Sequence, residues 1–100
     1  MNAVEPLPID VQPWRMHGRD IRGGQWIYRF GNGYGASVVQ GPYTYGGPEG
    51  MYELAVLAFD GDTHDLTYET PVTGDVIGWQ SVEEIAELLV RIAALPERAK

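Results

Sequence analysis

The sequence predicts an α+β domain, a four-stranded antiparallel β-meander with one C-terminal helix packed on one face, in the order ββββα. Three observations carry that reading. Between Gln25 and Gln40, two aromatic and apolar runs flank Gly31-Asn32-Gly33, which is a hairpin pattern. Between Met51 and Thr70, two further short apolar runs are separated by the polar stretch Asp60 to Asp65. From Ser81 onward the apolar spacing changes from alternation to the period of a helix. With 100 residues there is room for one domain. It is assigned to residues 25–96, with an extended or flexible arm over 1–24 and a short tail over 97–100.

The arm carries Pro6, Pro8 and Pro13, ends on Gly23-Gly24 and shows no sustained periodicity. It is expected to move freely without a partner, because it offers little apolar area against the entropy of ordering. Ile9, Val11 and Trp14 are its apolar residues able to lie along the domain or enter a neighbour, and Trp14 to Arg19 allows at most one short helical turn.

In the hairpin, a three-residue loop pairs Phe30 with Tyr34, Tyr28 with Ala36 and Trp26 with Val38, and so gathers the large side chains on one face. A two-residue turn at Asn32-Gly33 scatters them, so the first register is preferred, with Gly33 in the left-handed position. Gly41 to Gly50 holds four glycines and two prolines and is read as a loop. Met51 to Phe59 alternates as a strand with Tyr52, Leu54, Val56 and Ala58 toward the core. Leu57 and Phe59 then lie on a far side more apolar than a wetted face needs. Asp60 to Asp65 is read as a loop. Leu66 to Thr70 is the fourth strand, with Leu66 and Tyr68 inward and Thr70 held extended by Pro71. Gly74 to Gly78 is a crossover, and Trp79 is expected to plug the end of the core. Ser81 with Glu84 forms a capping box, Val82, Ile85, Leu88, Leu89, Ile92 and Leu95 form the apolar stripe, and Pro96 ends the helix.

Charge is segregated. Four arginines lie before residue 31, no Lys or Arg occurs from Gly31 to Val90, and that stretch holds ten of the 14 acids behind the net charge of -7. A field of that sign disfavours phosphate backbones, so direct nucleic-acid binding is not expected. It serves solubility, a docking face for a basic partner, or mimicry of a nucleic acid. The start of the chain lacks the basic and apolar regions of a signal peptide, and its longest uncharged apolar run, Leu54 to Phe59, is six residues. A cytoplasmic protein with no membrane partner is therefore expected.

Motifs for chemistry are weak. Gly31 to Gly35 is glycine-rich, but a strand and not a helix follows, so it reads as a turn and not a phosphate cradle. Asp60, Asp62, His64 and Asp65 lack the remainder of a calcium loop. With no cysteine and only His17 and His64, zinc would need carboxylates drawn from distant loops. Ser37 sits inside a strand without a nucleophile elbow. No catalytic residue, cofactor or metal is assigned, and an enzyme is not expected. Partner binding is assigned to Trp14, Tyr43, Tyr45, Leu57 and Phe59: two tyrosines in a rigid Gly/Pro loop, an anchor in the arm, and the semi-apolar far face.

The segments Tyr34 to Val39, Gly41 to Gly46, Tyr52 to Leu57 and Thr70 to Trp79 give the chain, from about Trp26 to Leu95, a resemblance to small uncharacterised proteins encoded by bacteriophages and prophages. That resemblance implies an origin in an infected bacterial cell, and a host or phage protein as the partner, a defence protein among the candidates. The function expected is a non-catalytic, acidic protein-binding module, self-associating as a homodimer through Ile27, Leu57 and Phe59. Two alternatives stay open: a small-ligand-binding protein or enzyme with a pocket near the Tyr43/Tyr45 loop, and an acidic nucleic-acid mimic inhibiting a DNA-binding or defence protein.

The helix assignment is tested by denaturant titration. Ser81→Ala is expected to cost about 1 kcal/mol by removing the cap, and Leu89→Ala about 2–5 kcal/mol by opening a cavity. Glu83→Ala, on the outward face, should be nearly silent. Equal losses for Leu89→Ala and Glu83→Ala would mean the buried face is wrongly assigned.

Overall fold

The computed structural model describes residues 5–19, 23–42, 44 and 46–98. Six strands and one α-helix follow each other as β1 (Arg15–Arg19), β2 (Gly23–Arg29), β3 (Tyr34–Gln40), β4 (Tyr52–Asp60), β5 (Thr63–Leu66), β6 (Ile77–Gln80) and α1 (Val82–Ala93), with a 3-10 turn at Gly47–Glu49. The class is α+β as the sequence predicts, but the antiparallel sheet is wider than four strands. Its order is β1-β2-β3-β4-β5, and β6 joins the β5 side of β4.

The β2–β3 hairpin takes the three-residue loop. Tyr28 pairs with Ala36 and Trp26 with Val38. The Phe30 amide donates to the Tyr34 carbonyl at 2.9 Å, and Gly33 closes the turn at φ 85°. A side chain there would be strained by the backbone alone. On the helix face this register aligns Trp26, Tyr28, Ala36, Val38, Leu54 and Val56, all buried, beneath Ile85, Leu88, Leu89 and Ile92 of α1. The capping box is present: Ser81 Oγ accepts from the Glu84 amide at 3.1 Å, and Glu84 Oε1 from the Ser81 amide at 2.8 Å. Within this core the Tyr28 hydroxyl has no hydrogen-bond partner among the described residues, and burial, helped by nearby Tyr52, pushes its pKa up to about 12.

Three assignments change. The segment read as an arm without regular structure contains β1, which pairs with β2 from Arg15↔Ile27 to Arg19↔Gly23. Ahead of it Leu7 is buried, and Ile9 and Val11 pack on the same core. The reason is width. One helix is about 10 Å across, whereas five strands spaced ~4.8 Å span roughly 19 Å. α1 lies over β3 and β4, and the N-terminal segment covers Trp26, whose indole donates to the Glu5 carbonyl at 2.7 Å.

The strand after β4 is Thr63–Leu66, not Leu66 to Thr70, and Leu66 and Tyr68 are exposed rather than inward. Asp60 to Asp65 looks like a loop because it is polar, but Gly61 at φ 62° makes a two-residue turn that pairs Asp60 with Thr63 directly. An edge strand needs no apolar face when its ladder partner is a buried strand. The stretch read as a crossover ends in β6, which pairs with Tyr52 and Leu54, while β5 takes Leu57 to Asp60. β4 has nine residues, and at ~3.3 Å per residue it is long enough for two short strands end to end.

Asn32 connects the hairpin to the helix. Its Nδ2 donates to the carbonyls of Ile92 at 2.9 Å, Leu95 at 3.1 Å and Ala93 at 3.3 Å, and its Oδ1 accepts from the Tyr34 amide at 3.0 Å. Asn32→Ala is expected to lower stability by about 1–2 kcal/mol through these lost bonds. Asn32→Asp should cost more, because it sets a negative oxygen against the negative end of the helix. Thermal or denaturant unfolding of the two variants checks the order; Asp tolerated better than Ala would refute the assigned role of Nδ2.

Candidate functional site

The first candidate surface lies on the sheet face opposite α1. Alternation along β2 and β4 places Ile27, Leu57 and Phe59 there, and the β4–β5 register sets His64 beside Phe59. Trp14 lies over this group, its amide donating to the Ile27 carbonyl at 2.7 Å and its ring meeting Phe59 edge-on at 5.4 Å and His64 at 6.3 Å. The Arg15 guanidinium sits 4.2 Å from the Trp14 ring centre, and that of Arg29 lies 4.9 Å from Phe59 and 5.4 Å from Trp14. Arg29 also pairs with Asp62 at 2.9 Å. Cation–aromatic contacts of this kind favour a guanidinium held flat on the ring, with its unused N–H groups facing water.

This arrangement corrects the picture of an open far face. Ile27, Leu57 and Phe59 are only 4%, 2% and 5% exposed, because the chain's own Trp14 covers them. The structure thus brings three of the assigned partner-binding residues together, Trp14, Leu57 and Phe59, but as a second small core. Tyr43 and Tyr45 lie outside the described residues. Their neighbours fix the loop they belong to: the Gly41 amide donates to Thr44 Oγ1 at 3.0 Å, and the Gly47 amide to the Thr44 carbonyl at 3.0 Å.

A cleft of about 630 Å³ opens where the β2–β3 turn, the β4–β5 turn and the C-terminal segment meet, lined among others by Arg29, Asn32, Asp60, Glu97 and Arg98. No described residue of the Gly41-to-Gly50 loop, beside which one alternative reading sets a pocket, lines it. Arg98 Nη1 donates to Asp60 Oδ1 at 2.9 Å and to the Phe59 carbonyl at 3.2 Å, and its amide donates to the Asn32 carbonyl at 2.8 Å. Each guanidinium lining the cleft already faces a carboxylate, so the cleft offers an anionic ligand no unpaired cation. The glycine-rich turn contributes structure here: the Asn32 side-chain amide is committed to the helix end. Among the described residues no three His, Cys, Asp or Glu side chains gather as metal ligands, and no helix is long and apolar enough to cross a membrane.

The remaining feature is Trp79. It was expected in the core, yet it is 56% exposed. The β4–β6 ladder shifts by one residue between Tyr52↔Gln80 and Leu54↔Ile77, so Gly78 and Trp79 together oppose Glu53 in a bulge. Trp79 holds φ 58°, the one non-glycine residue with positive φ among the described residues. A bulge re-aims a side chain, and this one aims an indole outward. Trp79 backs onto Gly46, whose φ of 83° and closeness to Trp79 and Met51 leave no room for a side chain. The indole therefore stands beside the loop that carries Tyr43 and Tyr45. Periodicity hides this residue, because a bulge breaks the alternation from which facing is read.

Comparison with known protein families, curated proteins and solved structures finds no match for this chain. The geometry predicts how the far face responds to mutation. Leu57→Ala is expected to cost about 2–5 kcal/mol, and Leu57→Asp more, because it buries an unpaired charge. Both should unfold the protomer in denaturant earlier than wild type. A fully stable, folded Leu57→Asp protein would show that this face is open.

Proposed function

We propose that the chain is a non-catalytic protein-binding module whose contact surface is centred on Trp79 and the adjoining Gly41-to-Gly50 loop. The observation that carries the reading is an exposed indole held in a left-handed backbone conformation. For a bulky residue that conformation costs on the order of 1–3 kcal/mol, and such strain gathers at sites of function. Tryptophan and tyrosine are also the residues most often responsible for binding energy at protein interfaces. Tyr43 and Tyr45 flank Thr44 in the same loop, and Gly46 supports the indole. The resemblance to phage-encoded proteins favours a host or phage protein as the partner, met in a bacterial cytoplasm.

Immobilised protein is expected to retain a defined protein from a lysate of its native cells. Trp79→Ala should lose that protein, Tyr43→Ala or Tyr45→Ala should weaken its retention, and Glu83→Ala should leave it unchanged. Trp79→Gly should lose it too, yet be more stable than Trp79→Ala by roughly 1 kcal/mol, since glycine adopts the left-handed conformation without strain. Equal retention by wild type and Trp79→Ala would overturn the reading.

A further inference from the structure

We propose that the open edge of β1 accepts an extended acidic segment of another protein as an added strand. This surface is separate from the Trp79 patch. Among the described residues β1 pairs with β2 alone, so one side of its backbone keeps N–H and C=O groups available to a further strand. Arg15, Met16, His17 and Gly18 are all exposed. The strand contains no proline, the β1–β2 register is regular, and no acidic residue lies within Arg15–Arg19.

The side chains define what would fit. The register places Arg15 and His17 on the face of Ile27 and Gln25, two residues apart, and Met16 and Gly18 on the helix face. Arg15 is steadied by stacking on Trp14, and Arg29 lies over the same indole. With Arg29 paired to Asp62, Arg15 is the unpaired cation that this face presents among the described residues, on a chain of net charge -7 whose Gly31–Val90 stretch has no Lys or Arg. A second β1 edge would set like charges opposite one another, which disfavours pairing between copies. A strand with carboxylates at alternate positions answers Arg15 and His17. Its intervening apolar side chains meet Met16 and the space left by Gly18. Backbone pairing supplies affinity and the alternate side chains supply selectivity, as in other cases of strand addition.

The probe is a blocked synthetic hexapeptide alternating Glu and Val, labelled with a fluorophore, titrated with the full chain at low salt. Saturable binding is expected, weakening by about tenfold or more on raising salt several-fold, as for contacts made by exposed charges. Arg15→Glu should abolish it and Arg15→Lys should retain most of it, while a Lys/Val peptide should not bind. Hydrogen exchange should slow at the β1 amides when the acidic peptide is bound. Trp79→Ala should bind this peptide like wild type, so this proposal and the previous one fail independently. Absence of binding, equal binding of the Lys/Val peptide, or binding that leaves the β1 amides unprotected would each overturn the inference.

Discussion

The fold depends on the side chain of Asn32. A helix ends with carbonyls that lack partners within it, and those of Ile92 and Ala93 in α1, with that of Leu95 just beyond it, accept from one carboxamide in the β2–β3 turn. The same residue shapes that turn through the Tyr34 amide, and its backbone carbonyl accepts from Arg98. Hairpin, helix and C-terminal segment are therefore joined at one residue. At the opposite end, the Ser81–Glu84 box satisfies the first turn. Because α1 is held at both ends, Ile85, Leu89 and Ile92 sit over β3 and β4 in a fixed position, each with no exposed surface.

That position covers β2 only in part, and the N-terminal segment completes the layer over it. Leu7, Ile9 and Val11 extend the helix-side core, while Trp14, further along the same segment, closes the opposite face. A single extended segment thus serves both faces of the sheet. Its guanidinium neighbour Arg15 and the sheet's Arg29 lie over the Trp14 ring, so two of the chain's arginines are attached to the cover of the second core. Charge and packing are coupled there. Removing Trp14 would expose Ile27, Leu57 and Phe59 and release both cations from their platform.

Strain is concentrated elsewhere. β4 carries two short partners on one edge, and the ladder with β6 is made only by placing an extra residue in the bulge. Trp79 occupies the left-handed position that glycine would fill at least cost, although Gly78 stands next to it. Nothing in the packing of the core requires an indole at this point, since more than half of its surface is exposed. The surfaces proposed for binding, the bulge and the β1 edge, both lie outside the two cores, so partner contact need not disturb the packing that maintains the fold.

The local chemistry of the chain by itself determined the α+β class, the hairpin register, the capping box and the buried face of α1. Each of these rests on interactions between residues close in sequence: glycine in a three-residue loop, Ser81 with Glu84, and apolar residues at helical spacing. Trp14, Leu57 and Phe59 were identifiable as apolar residues with a role outside the main core, but whether they met solvent or one another depended on a contact more than 40 positions apart in the chain. β1 and β5 have little strand character of their own and exist through ladders with β2 and β4, and β6 exists because β4 is longer than β5. Trp79 faces solvent because two residues of β6 oppose one of β4. Tertiary structure alone decided these features, since strand pairing, bulges and the covering of a sheet face are properties of neighbours in space, which periodicity along the chain does not encode.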